Sequence, residues 1–218
     1  MNLRTALFDK TRHPMHNHYE LGKFLVRDEK EPGKIRNCYQ QRMMLVSEDF
    51  VVAYQQALEQ EVGDAAGEIM YRCGFEWGRA DITQFEKRFA EEFGASMTDL
   101  PFGMVLESWW WPLQAAGWGA WRYDLSNQKE GLIFVDLFES AVARSIGNVG
   151  KVVCHYYAGL FAAVFSHIAR RELSGIEIQC YSMGEEYCKF LIGAAKRISA
   201  AQFWTREGAT AQEIIQRL

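Results

Sequence analysis

Ser174-Gly-Ile-Glu-Ile-Gln-Cys180, then Tyr181-Ser-Met-Gly-Glu-Glu186, then Tyr187-Cys-Lys-Phe-Leu-Ile192: two short runs rich in β-branched and aromatic residues flank a turn that contains Gly184. This is the pattern of a β-hairpin. A hairpin sets its two ends side by side, so Cys180 and Cys188 can aim at one point. A third cysteine, Cys154, lies upstream in the long apolar stretch Val149 to Arg171, which reads as a helix through Val153, Tyr157, Leu160, Phe161, Val164, Phe165 and Ile168. If that helix packs on the hairpin, Cys154 reaches the same point. Three soft thiolates converging on one spot are how a protein holds zinc.

Outward from the hairpin, Gly117-Trp-Gly-Ala-Trp-Arg-Tyr-Asp-Leu125 and Leu132-Ile-Phe-Val-Asp-Leu137 read as two further strands, linked by the loop Ser126 to Gly131. Upstream, apolar positions recur every three or four residues through Phe50, Tyr54, Leu58, Val62, Ile69, Cys73 and Trp77, which predicts one or two helices over 48–80. Further helices are expected over Thr83 to Phe93, closed by Gly94, and from about Thr98 into Trp109-Trp110-Trp111, interrupted by Pro112 and Gly117. Arg42 to Val46 reads as a short strand. Residues 1 to about 34 read as an irregular polar arm, and the tail from Ala195 as one or two short helices. Helices followed by hairpins predict an α+β fold: an antiparallel sheet with helices packed on one face, leaving space for a ligand between layers. The expected organisation is an arm at 1–44, a ligand-binding domain at 45–193 and a helical tail at 194–218.

Composition narrows the class. The chain has 218 residues, 49% of them apolar and 14% aromatic, which suits a folded domain with a substantial core. Seven Trp and fourteen Phe exceed what a core needs and point to an apolar pocket or an interface. A net charge of −4 without a basic stripe argues against nucleic-acid binding. No stretch approaches the ~18 apolar residues of a membrane span, and the first residues carry no long apolar run. Five cysteines in that setting suggest a reducing compartment, where grouped thiols mean metal or chemistry rather than disulfides. The expected location is cytoplasmic, at most peripheral to a membrane.

Gly117-Trp-Gly-Ala-Trp121, Cys154-His-Tyr-Tyr-Ala-Gly159, Glu177-Ile-Gln-Cys180 and Met183-Gly-Glu-Glu-Tyr-Cys188-Lys-Phe190 together resemble the V4R (4-vinyl reductase) domain family over roughly residues 45 to 193, most strongly after Gly117. The resemblance implies a homodimeric α+β fold related to haem-NO-binding domains and vesicle-tethering subunits, with an apolar ligand cavity. It also implies a zinc held by three Cys and one Glu, carried here by Cys154, Glu177, Cys180 and Cys188. Residues three apart on a regular strand face opposite ways, so Glu177 and Cys180 need a bulge or strand end between them. Without one, His155 or a water becomes the fourth ligand. A four-ligand shell leaves no open position, so such a zinc is structural; the bland alternative is a group of ordinary buried thiols.

For the ligand itself, Trp109, Trp110, Trp118 and Trp121, with Tyr157, Phe161 and Phe165, are the candidate lining residues. Three successive Trp on a helix span about 200° of arc, so they cannot all face one core, and at least one is expected to touch a ligand, partner or second subunit. The leading expectation is a non-catalytic binder of a hydrophobic, aromatic or tetrapyrrole-like molecule. By resemblance to members encoded beside chlorophyll genes, this implies a pigment carrier or a photosystem assembly factor with photosynthetic assembly proteins as partners. The alternatives are a reductase acting on a tetrapyrrole vinyl group, for which no cofactor motif is found, and a sensor or adaptor module. His13, His16 and His18 read as a solvated arm, and no Gly-x-Ser-x-Gly, Walker or dinucleotide signature is present.

Overall fold

The computed structural model describes residues 24–27 and 30–218. They divide into two compact units, one made of residues up to Ser47 together with Phe85–Trp118, the other of Glu48–Gln84 with Gly119–Leu218.

The second unit is built on a four-stranded antiparallel sheet, with β4 (Ala120–Asp124), β5 (Leu132–Phe138), β6 (Ser174–Gln179) and β7 (Cys188–Gly193) in the order β4-β5-β7-β6. Register pairs Trp121 with Leu137, Val135 with Phe190 and Glu177 with Phe190. Side chains alternate between faces along a strand, so Trp121, Val135, Leu137, Cys188, Phe190 and Glu177 share one face. Helix α5 (His155–Ala169) covers it: the Tyr157 and Phe161 rings lie 6.3 and 5.1 Å from Phe190, and Phe161 stacks on Trp121 at 6.1 Å. The fold is therefore the expected α+β class. The opposite face carries Leu132, Phe134, Ile178 and Leu191, which pack with Ile198, Ala201 and Ile214 from α6 (Ala195–Arg206) and α7 (Ala211–Arg217). The tail thus adds a second helical layer, and Thr210 and Glu213 cap α7 reciprocally.

One side of α5 carries the small buried residues Ala158, Gly159, Ala162 and Ala163, for a physical reason. A methyl group placed on Gly159 would stand 1.9 Å from the Tyr71 carbonyl oxygen, and one on Gly74 would stand 2.0 Å from that of Tyr156. Two helix backbones meet there, closer than any side chain permits. Helix α1 (Glu48–Val62) is separated from α2 (Ala65–Phe93) by Gly63, whose φ of 58° lies in the left-handed region. The break expected near residue 80 is not there: α2 runs unbroken through Thr83. A short helix over Ala141–Ile146 (α4), capped by Ser140, had no apolar periodicity to announce it.

In the first unit, β1 (Leu25–Arg27), β2 (Ile35–Asn37) and β3 (Arg42–Met43) make a small antiparallel sheet; β3 falls within the short strand expected over Arg42 to Val46, whereas β1 stands where irregular backbone was expected. The buried Asn37 side chain accepts from the backbone N–H groups of Tyr39 and Gln41, 3.0 Å each, and organises the turn that returns the chain. Strand β3 ends before Met44, Leu45 and Val46, all exposed. Helix α3 (Phe102–Ala115) continues through Pro112 rather than stopping before it. Its residues Met104 to Trp111 are buried without exception, the mark of a helix enclosed on all sides. His13, His16 and His18 lie outside the described residues. Among those residues, no helix is long and apolar enough to cross a membrane.

Candidate metal centre

The segment expected to begin the long helix at Val149 is not helical before His155. Gly150 has a φ of 74°, and the N–H groups of Val149 and Gly150 donate to the Ser182 carbonyl at 2.8 and 2.7 Å. Helix α5 therefore starts one residue after Cys154, which occupies its N-cap position. Residues 149–154 form a strap rather than a helical turn, because their backbone donors are taken by acceptors elsewhere in the unit. Gln55 of α1 donates to the Val153 carbonyl at 3.1 Å, and Ser182 Oγ donates to the Lys151 carbonyl at 2.5 Å.

Strand β6 supplies the second contribution. Its pairing with β7 shifts register between Glu177 and Gln179. The extra residue turns Ile178 to the outer layer and returns Cys180 to the side of Glu177. The three-residue spacing demanded such an irregularity, and the strand has it. Cys180 then opens a 3-10 turn (Tyr181–Met183), Gly184 closes it at a φ of 89°, and Cys188 starts β7 directly opposite.

Cys154, Glu177, Cys180 and Cys188 thereby converge, with one potential ligand atom from each lying within 4.8 Å of every other. Sγ of Cys188 is 3.8 Å from that of Cys154 and 3.6 Å from that of Cys180. All four residues are at most 1% exposed. Glu177 divides its carboxylate between two tasks. Oε2 accepts from the N–H groups of Val153 at 3.1 Å and Cys154 at 2.7 Å, placing negative charge at the amino end of α5. Oε1 is buried and accepts no hydrogen bond. An unpaired carboxylate oxygen without solvent costs about 1–3 kcal/mol or more, a cost that a cation at the cluster removes.

The electrostatics point the same way. Burial, then the adjacent Cys180, push the Glu177 carboxyl well above its ordinary value. Burial, then its contacts with Cys180 and Cys188, push the Cys154 thiol well up. Hydrogen bonds from Cys154 and Cys188 hold Cys180 far below the usual thiol range. Without a cation the crowding of the set thus opposes its full ionisation, since like charges this close cannot all be present at once. A divalent ion reverses that logic by replacing the protons. Three sulfurs and one oxygen suit a tetrahedral shell of Zn²⁺ type, so the residues present fit such an ion.

Sequence reasoning did not identify the hydroxyls behind the sulfurs. Ser182 Oγ lies 2.9 Å from Cys180 Sγ and Ser140 Oγ 3.3 Å from Cys154 Sγ, and both serines are fully buried. Ser182 stands two residues after Cys180 in the quoted turn, which was the available signal; Ser140 reads as no more than a helix cap. His155, the reserve ligand, is outside the cluster; burial lowers its pKa below the ordinary 6.5.

The candidate ligand residues fall in both units. In the first, Trp109 and Trp110 are 1% exposed with ring centroids 5.6 Å apart, Trp111 is 5% exposed and meets Phe24 edge-on at 5.3 Å, and Trp118 is half-buried. The wide arc of three Trp thus leaves none at the surface. In the second, Trp121, Tyr157, Phe161 and Phe165 are all buried in the layer between α5 and the sheet. None of these residues lines the groove of about 960 Å³ that opens in the second unit beside Glu59, Asp64, Glu68, Lys151, His155 and Glu177.

Residues 133–194 match the family model of the V4R domain. The uncharacterized protein MJ0150 of Methanocaldococcus jannaschii is 27% identical over 126 residues, 57% of this chain and 62% of that protein, so the match spans less than two thirds of its length. Among solved structures, the phenol-responsive sensory domain of the transcription activator PoxR, with phenol, superposes with a TM-score of 0.63 at 22% identity, covering 84% of this chain and 91% of that one. A trafficking protein particle complex subunit 3 from Naegleria fowleri, covalently bound to palmitic acid, gives a TM-score of 0.47 at 10% identity over 67% of this chain and 93% of that one.

Proposed function

We propose that this chain is a small-molecule-binding module of sensor type, braced by a structural zinc ion on Cys154, Glu177, Cys180 and Cys188. The observation that carries the reading is the buried Oε1 of Glu177, left without a hydrogen bond beside three thiols within ligand distance of one another. Bound zinc supplies a cross-link: it ties the amino end of α5, the end of β6 and the start of β7 to one centre. Four protein ligands fill a tetrahedral shell, so the ion acts as a staple and takes no substrate.

The chain's own residues set the geometry. Glu177 orients the strap through its two N–H acceptances, and Ser182 and Ser140 fix the sulfurs of Cys180 and Cys154. The aromatic layer of Trp121, Tyr157, Phe161 and Phe165, with Trp109, Trp110 and Trp118 in the other unit, is where a hydrophobic ligand is sought. The phenol held by the PoxR sensory domain supports an aromatic ligand. A tetrapyrrole, homodimerisation and a role in pigment transport or photosystem assembly, with photosynthetic assembly proteins as partners, belong to the same proposal. A native mass spectrum of purified protein tests the brace: one zinc per chain is expected, and none, even after refolding with zinc, removes it. Titration with phenol and protoporphyrin, followed by Trp fluorescence, tests the ligand: quenching that saturates supports the module, and its absence with both ends the ligand reading.

A further inference from the structure

The four ligands are sealed, yet an ion must reach them. Glu177 alone among them also lines the groove of about 960 Å³, whose walls include Val152 and His155, the near neighbours of Cys154. Three acidic side chains stand in the same groove: Glu59 from α1, Asp64 from the α1–α2 turn and Glu68 from α2. Two basic side chains, Lys151 and Arg206, line it as well. Lys151 Nζ lies 3.1 Å from Glu59 Oε2 and holds the strap against α1. The groove therefore runs from the half-buried Glu59 and the exposed Asp64 and Glu68 to the buried Glu177, whose Oε1 accepts no hydrogen bond.

We infer that this groove is the loading route for a divalent cation, with Glu59, Asp64 and Glu68 concentrating the ion, Glu177 receiving it and the three thiols completing the shell. The inference rests on the metal reading of the centre. A hard carboxylate oxygen accepts a hydrated ion readily, and soft sulfur then displaces the remaining water. The Glu177 carboxyl and the thiols release to solvent whatever protons they hold as their bonds to the metal form. Clefts lined by one sign of charge raise the local concentration and arrival rate of the opposite ion, and salt weakens the effect. Lys151 acts against entry by neutralising Glu59 and adding a positive charge at the mouth.

The test is stopped-flow addition of Co²⁺ alone to the metal-free full chain, followed by the thiolate-to-cobalt absorption band. The triple variant Glu59→Gln, Asp64→Asn, Glu68→Gln is expected to slow both uptake and chelator-driven release about tenfold at low salt. The difference should shrink at 0.5 M salt, with the final spectrum and the equilibrium affinity unchanged. Lys151→Gln is expected to speed uptake, and Glu91→Gln with Glu92→Gln, on the α2 segment of the other unit, to leave it unaltered. Equal rates in all variants at every salt concentration overturn the route, since entry would then depend on general opening of the fold. Absence of the cobalt band in the unaltered chain instead removes the centre itself, a result distinct from a normal band with unaltered rates.

Discussion

The sulfur centre and the tryptophan stretch of α3 are both buried, but they are buried differently. Trp109, Trp110 and Trp111 place apolar rings against apolar rings, and burial by itself accounts for their stability. The centre places three thiols and a carboxylate in one sealed volume, with a carboxylate oxygen lacking a donor and protonation states forced apart. Packing does not explain that arrangement; the proposed cation would. The lesson is that an incomplete set of polar partners identifies a site, whereas aromatic mass alone does not.

The largest expected effects form a matched pair. Trp110→Ala should cost about 3–5 kcal/mol and cost the same with zinc present or chelated, as read by thermal unfolding. Cys188→Ala should remove the zinc-dependent stabilisation, about 4 kcal/mol when zinc is held at a thousand times its Kd, and cost little further in chelated protein. If Cys188→Ala is equally damaging in both conditions, the centre is ordinary core and the contrast fails.

Glu177→Gln keeps the shape and removes the anionic ligand. Zinc affinity in a chelator competition should fall about a hundredfold, close to 3 kcal/mol, while Cys154→Ser should fall further because a soft ligand is lost. Unchanged affinity in Glu177→Gln would hand the fourth position to another group.

The effect of pH sharpens the contrast next. Glu177 has a folded pKa above its unfolded value. In metal-free protein its contribution is thus fully present below about 4.5 and is lost as pH rises through the raised value. Loaded protein behaves oppositely, because ligands must shed protons to hold the ion. The gap in Tm between loaded and chelated protein should therefore widen from pH 5.5 to 8.0. A gap that stays flat would separate Glu177 and Cys154 from the metal. The smallest effect belongs to Ser182→Ala, about 1 kcal/mol of stability and roughly tenfold in zinc affinity. No change in affinity would reduce Ser182 to a clamp on the Lys151 carbonyl.

Much of this was legible in the residues. The hairpin around Cys180 and Cys188 follows from period-two alternation and Gly184, and the Glu177–Cys180 spacing announced an irregular strand that the register shift supplies. The start of α5 was misread because Val152 and Val153 continue the apolar run, and nothing local shows that the donors of Val149 and Gly150 are claimed by Ser182 and those of Val153 and Cys154 by Glu177. Of the small strands near the amino end, the one at Arg42 was expected, while β1 and β2 were missed because a buried Asn37 organises the turn after them instead of an apolar pattern.

By itself the sequence determined the candidate ligand types, the hairpin, and the α+β class, since each depends on residue chemistry and short-range periodicity. Tertiary structure alone decided that a strap twenty-three residues before Glu177 meets it, that two hydroxyls stand behind the sulfurs, and that an acidic groove ends at the same carboxylate. Those are long-range contacts, set by how α5 closes on α2 through Gly159 and on the sheet through Phe161, and no local pattern in the chain encodes them.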